Sequence, residues 1–392
     1  MLFGQTGNRL LVLSIDGLDA PFLNDPALRV KAPNLRRLMR EGASATVVGV
    51  TPSETWPAYA SLVTGVAPWL TGVLTNDLPA TAFRATPLWE AASQKGLTAA
   101  TVYWPGTMGA KVAFNLPQLQ ESQKGGSAAF DAIAQKSNPA GLASRIENKY
   151  PAFGKELWTD SNSAQAAIYL LTTEKPDVLF VHFSEVEAEQ RETGARSLYA
   201  REILENSDDL VGQVLAKAPA GTLTVVVSDH GFENSNRTVR PRVMLRQAGV
   251  KGRVEVADGL IGTADAAVAG ALRALLVDGR KYGLAREVPM AEVKARAQGH
   301  AKWVAAFDTL PDFVATEEER GAAVGNGSHV ATHGVWPNRP GYRSIFIMAG
   351  PGVRSVKLGE IEMLQIAPTL AEAVGVRLPA AKDSSLWRQI TR

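Results

Sequence analysis

Six short, almost unbroken apolar runs decide most of what this chain can fold into. They are RLLVLSI (9–15), ATVVGV (45–50), TAATVYW (98–104), DVLFVHF (177–183), TLTVVVS (222–228) and SIFIMAG (344–350). Runs rich in Val, Leu and Ile that do not alternate with polar residues suit strands covered on both faces. Helical patterns lie between them. APNLRRLMREG (32–42) and PLWEAASQKG (87–96) carry Pro at or near the start and stop at Gly, the asymmetry of helix ends. The stretch 195–218 places Leu198, Ile203, Leu210 and Val214 at helical spacing, and IAPTLAEAVG (366–375) again ends in Gly. Strand–helix alternation of this kind predicts an α/β fold, a three-layer α/β/α sandwich around a mainly parallel sheet.

One stretch breaks the alternation. Residues 236–328 are rich in Ala, Val and Arg and carry the charged helical sequence EVPMAEVKARAQG. They read as an inserted cap subdomain, which divides the catalytic core into a first part, 1–235, and a C-terminal part, 329–392.

Composition removes several function classes. The formal net charge is +2 and no Lys/Arg run stands out, so there is no nucleic-acid-binding signature. The chain has no Cys, which excludes disulfides, thiolate metal sites and cysteine nucleophiles. Any metal must be held by Asp, Glu and His, a donor set for hard or borderline ions. The first apolar run is cut by Asp16 and is too short for a signal peptide or membrane span. A soluble protein is expected. The sequence leaves its compartment, cytoplasmic or exported, and its oligomeric state open.

Open α/β sheets place ligands at the carboxyl ends of their strands. There the chain offers Asp16-Gly17, Asp229-His230-Gly231, and Glu185 and Glu187 after the 177–183 run; His329 and His333 come shortly before the last run. Asp before Gly is by itself a turn former, whereas Asp229-His230 puts two metal-capable side chains side by side. After the 45–50 run comes TPSETWPAYASLVTG (51–65), where Thr55 opens a helical stretch. It reads either as a helix N-cap or as a nucleophile, and the two roles are compatible in the positive field of a helix start.

In combination, these pieces resemble the nucleotide pyrophosphatase/phosphodiesterase (type I phosphodiesterase) branch of the alkaline phosphatase superfamily. The resemblance rests on Asp16-Gly17, on TPSETWPAYASLVTG running into TGVAPWLTGVLTND, on PLWEAASQKG…ATVYWPG, on the Asp-His-Gly strand end, and on the late His-Gly before FIMAGPGV. It implies an alkaline-phosphatase-like fold. Thr55 falls at the nucleophile, which also binds metal, and Asn76 at the amide that holds a phosphoryl oxygen. Asp16, Asp229 and His230 fall at the ligands of one metal, and His333 at a ligand of a second. The resemblance implies a divalent cofactor, with Zn2+ first among the candidates.

The second metal site departs from the pattern. Where the family has Asp-x-x-Gly-His, this chain has Glu187, Gln190 and Arg191. Glu187 can still offer oxygen, but a guanidinium has no lone pair for a metal. Arg191 then either supplies positive charge to the phosphoryl group directly or only pairs with Glu187 or Glu185. The implied activity is metal-dependent hydrolysis of a phosphodiester or pyrophosphate bond through a phospho-threonine. The implied partner is a small phosphorylated substrate such as a nucleotide. Two alternatives stand beside it: an impaired relative that binds phosphorylated ligands or a protein, and a monoesterase, sulfatase or phosphonate hydrolase on the same scaffold.

Overall fold

The structure, a computed structural model, describes residues 9–76, 83–119, 128–155 and 157–391; the amino-terminal stretch before Arg9 lies outside them. All six apolar runs become strands of one eight-stranded sheet. Five of them, with a short strand after the third run, are β1 (Leu10–Ile15), β2 (Ala43–Val48), β3 (Ala99–Val102), β4 (Phe114–Leu116), β5 (Val178–Phe183) and β6 (Leu223–Val227). The sixth run forms Ser344–Ala349, and an edge strand Val356–Glu362 completes the sheet. The order across it is Val356–Glu362, β2, Ser344–Ala349, β6, β1, β5, β3, β4. Every pairing is parallel except the two made by Ser344–Ala349.

The sheet divides two cores because successive side chains of a strand point to opposite faces. Leu11, Leu13 and Ile15 of β1 pack with Leu179, Val181 and Phe183 of β5 beneath the helices Pro33–Glu41, Asp160–Tyr169 and Leu198–Leu215. Leu10 and Val12 join Val178 and Phe180 on the other face, under Thr55–Thr64, Leu88–Gln94 and Ile366–Ala373. The three-layer sandwich expected from the sequence is what forms. Each fully buried aliphatic or aromatic side chain contributes roughly 1.5–3 kcal/mol relative to exposure, so faces this densely apolar leave β1 and β5 no freedom of register.

Two strands escaped the sequence reading. Phe114–Leu116 has only three residues and Val356–Glu362 is a largely exposed edge strand with a register shift, so neither carries a long apolar run. Within 236–328 the chain forms a four-stranded antiparallel sheet and a separate three-stranded one, around a core that includes Val239, Ile261, Leu272 and Phe307. The buried Arg339 ties this segment to the short strand Glu233–Asn234 that follows β6. It donates to Glu233 (2.7 Å), Asp308 (2.5 Å) and Thr309 (2.8 Å). No helix among the described residues is long and apolar enough to cross a membrane.

Candidate active and metal site

On the face of the sheet that carries Thr55–Thr64, the alternation turns polar toward the strand ends. Leu10 and Val12 are followed on that face by Ser14, and Val178 and Phe180 by His182. Ser14 hydrogen-bonds the Tyr59 hydroxyl. His182 Nε2 lies 3.1 Å from Asp16 Oδ2, with its ring edge-on to Tyr59. The floor of the site is built by these substitutions in an otherwise apolar stripe. Sequence reasoning did not select His182; the signal was a polar residue at the third position of one face in both central strands.

Asp16 follows β1 in a turn that needs glycine next. Gly17 has φ +67°, and a Cβ there would crowd Glu187 and Phe232. The loop is held from outside: Gln190 donates to the Gly17 carbonyl at 2.9 Å and accepts from Arg196 N at 3.0 Å. Arg196 in turn bridges Asp19 and the Phe232 carbonyl. Gln190 and Arg196 were likewise not chosen from sequence, because their partners lie about 170 and 40 positions away in the chain.

Asp16, Asp229 and His230 meet at the ends of β1 and β6 as a buried group able to hold a metal ion. His230 Nδ1 faces the Gly231 carbonyl at 3.1 Å, which places the proton there and aims the Nε2 lone pair into the group. From Nε2 the distances are 3.5 Å to Asp16 Oδ1, 3.0 Å to Asp229 Oδ2 and 3.5 Å to Thr55 Oγ1. Ligands about 2.0–2.2 Å from a tetrahedral ion lie roughly 3.3–3.5 Å from one another, so the spacing is that of groups sharing one cation. Asp16 Oδ1 and Asp229 Oδ2 are buried with no hydrogen-bond partner, a costly state unless an ion answers them. The residues fit a divalent metal.

Titration directions carry the same message. Burial, with the Asp229 and Glu187 carboxylates, holds the Asp16 carboxyl well above its usual range. For Asp229 burial pushes upward, but His230 and the Gly17 N–H outweigh it and the group sits low. Burial opposes a charge on His230, yet the Asp229 carboxylate overcomes it and raises the imidazole. Two buried carboxylates in contact demand a positive partner, whether proton or metal.

Thr55 is the first residue of the helix Thr55–Thr64, with Glu54 at the N-cap position. The N-cap reading of Thr55 is therefore corrected by one residue, and its hydroxyl is free to face the metal group instead. Asn76 Oδ1 accepts from Trp56 N at 2.9 Å, which fixes the amide so that its NH2 is the end left to donate. That contact also occupies the Trp56 N–H, and residue 57 is proline, so neither of these two backbone positions offers a donor to a phosphoryl oxygen. Ser53 bonds Tyr342 at 3.0 Å and stays apart.

Glu187 and Arg191 lie on the helix Glu185–Thr193. Arg191 Nε donates to Glu187 Oε1 at 2.9 Å, and Nη2 contacts the same oxygen and lies 2.8 Å from His333 Nε2. The His333 ring stacks on His230 with centroids 4.0 Å apart. Burial, together with His230 and Arg191, holds His333 well below its usual value, so it is neutral and accepts from the guanidinium. Its Nδ1 is 3.3 Å from Glu54. His329 is exposed, and Glu185 bonds Asp160 N at 3.0 Å instead of entering the site. Trp56, Trp104 and Trp336 are buried side chains.

Asp160 starts this arrangement from below. It is fully buried and accepts from Ser184 N (2.7 Å), Glu185 N (3.2 Å) and Ser207 Oγ (2.7 Å), anchoring the helix that carries Arg191. Burial and the nearby Glu185 raise its pKa from 3.8 to about 7. The folded state thus keeps a proton that the unfolded chain releases, and the stability this lends is lost as pH rises from about 4 to about 7. Asp160→Asn should remove that slope, gaining on the order of 4 kcal/mol relative to wild type between pH 4 and 8. Denaturant unfolding at both pH values checks it; parallel slopes would refute the assignment.

Comparisons with known proteins give this chain a family and a shared fold. The model of the family "Type I phosphodiesterase / nucleotide pyrophosphatase" matches residues 10–336. No curated protein matches the sequence. Among solved structures, human ectonucleotide pyrophosphatase/phosphodiesterase 5 aligns with TM-score 0.66 at 16% identity, covering 98% of this chain and all of that one. The murine protein of the same name aligns equally well, including an inactive variant in complex with AMP.

Proposed function

The chain belongs to the type I phosphodiesterase / nucleotide pyrophosphatase family, and from that premise we propose that it cleaves phosphodiester or pyrophosphate bonds with Thr55 as nucleophile. The observation that carries the reading is the convergence of Thr55 Oγ1, Asp16 Oδ1 and Asp229 Oδ2 on His230 Nε2, each at 3.0–3.5 Å from that nitrogen. These four residues would hold a divalent ion, Zn2+ by preference for a His/carboxylate set. When bound, such an ion lowers the pKa of a coordinated hydroxyl and stabilises charge on phosphoryl oxygens.

The chain's own groups account for the rest. The Thr55 oxygen forms the bond to phosphorus as the bond to the leaving oxygen breaks; the hydroxyl proton goes to solvent, and the departing oxygen takes one from water. Water then cleaves the phospho-threonine and regenerates the hydroxyl. The Asn76 NH2, oriented by the Trp56 N–H, donates to a non-bridging oxygen. Thr55, as the first residue of the helix Thr55–Thr64, also keeps the phosphoryl group in that helix's positive field. Residues 236–328 form the cap over this core, set between 1–235 and 329–392. A nucleotide is the favoured substrate, in keeping with the AMP bound to the murine neighbour.

The test is a chemical quench of turnover on bis(p-nitrophenyl) phosphate followed by peptide mass spectrometry. A phosphoryl adduct on Thr55 is expected; steady turnover with no adduct on the 51–65 peptide would defeat the mechanism. Faster release from p-nitrophenyl phosphate or sulfate than from the diester would favour the monoesterase or sulfatase alternative. Asn76→Ala should lower kcat about 10²–10³-fold with little change in KM, the cost of losing one preorganised donor. A fall in affinity alone would place Asn76 in ground-state binding.

A further inference from the structure

Beside the metal group lies a second cluster of ligand-type side chains, and it holds a cation of its own. Glu187 Oε1 and His333 Nε2 are 3.6 Å apart, close to the separations in the Asp16/Asp229/His230 group. Between them sits Arg191 Nη2, 2.8 Å from His333 and in contact with Glu187. A metal ion and this guanidinium cannot occupy the same position. Nor can Arg191 serve as a ligand, since it has no lone pair. The second site of a two-metal centre therefore does not fit these residues.

We propose that Arg191 is the built-in second cation of the site: the chain takes one divalent ion, at Asp16/Asp229/His230, and Arg191 presents the remaining positive charge to the substrate's phosphoryl group. The proposal rests on the hydrolase reading above. Four acidic side chains surround this place, Asp16 and Asp229 beside His230 and Glu187 and Glu54 beside His333. A single divalent ion balances two of them, and the guanidinium a third. Arg191 uses Nε and Nη2 toward Glu187 and His333, whereas Nη1 has no hydrogen-bond partner among the described residues. With one edge of its fork pinned, the guanidinium is oriented and half-exposed, and its open edge suits a phosphoryl oxygen. An inert helix-surface ion pair at i,i+4 has no need of a buried imidazole as a third partner.

Metal counting separates this from its failure. Apo protein titrated with Zn2+ in a calorimeter should bind one equivalent. Arg191→His, which puts an imidazole beside Glu187 and His333, should bind two, and adding Glu187→Ala should return it to one. Two equivalents in wild type, or one in Arg191→His, would overturn the proposal. Zero in wild type would instead remove the first site and the hydrolase mechanism with it. Arg191→Met, which needs no new ligand geometry, should keep one equivalent and lose about 10²-fold in kcat on bis(p-nitrophenyl) phosphate. Unchanged kcat in that variant would reduce Arg191 to a structural pair and refute the catalytic half of the claim.

Discussion

Thr55→Ala should lower kcat on a phosphodiester by at least about 10³-fold, because the hydroxyl that faces His230 and the metal group is the one that forms the covalent intermediate. The substitution is sterically mild. Thr55 opens the helix Thr55–Thr64, whose Glu54 cap position and buried body do not depend on its hydroxyl. Thermal unfolding of the metal-free variant should therefore match wild type within a few degrees, and Zn2+ should still bind at Asp16, Asp229 and His230 with a weakened affinity. Thr55→Ser keeps the nucleophile and should recover most of the loss. Ser53 is the control: it points to Tyr342, so Ser53→Ala should leave the adduct on Thr55 in place. Retention of more than a tenth of the activity in Thr55→Ala would end the case for a phospho-threonine.

Stripping the divalent ion should have a comparable effect on turnover and a second effect on stability. Chelation followed by desalting should cut diester turnover by at least about 10³-fold, restored by Zn2+. It also leaves Asp16 Oδ1 and Asp229 Oδ2 buried without a partner. Bound metal at a thousand times its Kd should add about 4 kcal/mol of stability. The sign of the pH dependence follows from Asp16. Its carboxyl is raised by burial and by Asp229, so the apo protein gains from a proton at low pH and loses that stabilisation as pH rises. Protons and metal compete for the same oxygens; the Zn2+-induced increase in Tm should be larger at pH 8 than at pH 5.5. An equal increase at both would place the ion elsewhere. Asp229→Asn should abolish the increase at either pH.

Much of the first metal group was legible before any coordinates, since each member stands at the end of an apolar run. Asp229-His230 is a local signal: strand, then acid and imidazole, then glycine. Asp16, Thr55 and Asn76 needed the family resemblance, because an Asp before Gly is by itself a turn former and a Thr before Trp-Pro looks equally like a helix cap. The structure moved the cap to Glu54 and gave Asn76 a partner that orients it. His182, Gln190 and Arg196 were not legible, since each acts on a loop that is distant in sequence. Their chemistry is ordinary; only the fold brings it to the site.

The amino-acid sequence by itself determined the six core strands, their burial on both faces and the residue types at their ends. Hydrophobic burial and strand alternation are properties of short windows, so they survive without knowledge of the partner strands. The tertiary structure alone decided what becomes of Arg191. In sequence it is a guanidinium four positions after Glu187, with a phosphoryl role and a plain ion pair both open. In space the stacking of His333 on His230 brings an imidazole nitrogen to within 2.8 Å of its guanidinium. Whether a charge is solvated, paired or poised depends on groups arriving from elsewhere in the chain, and that is settled only when the sheet is assembled.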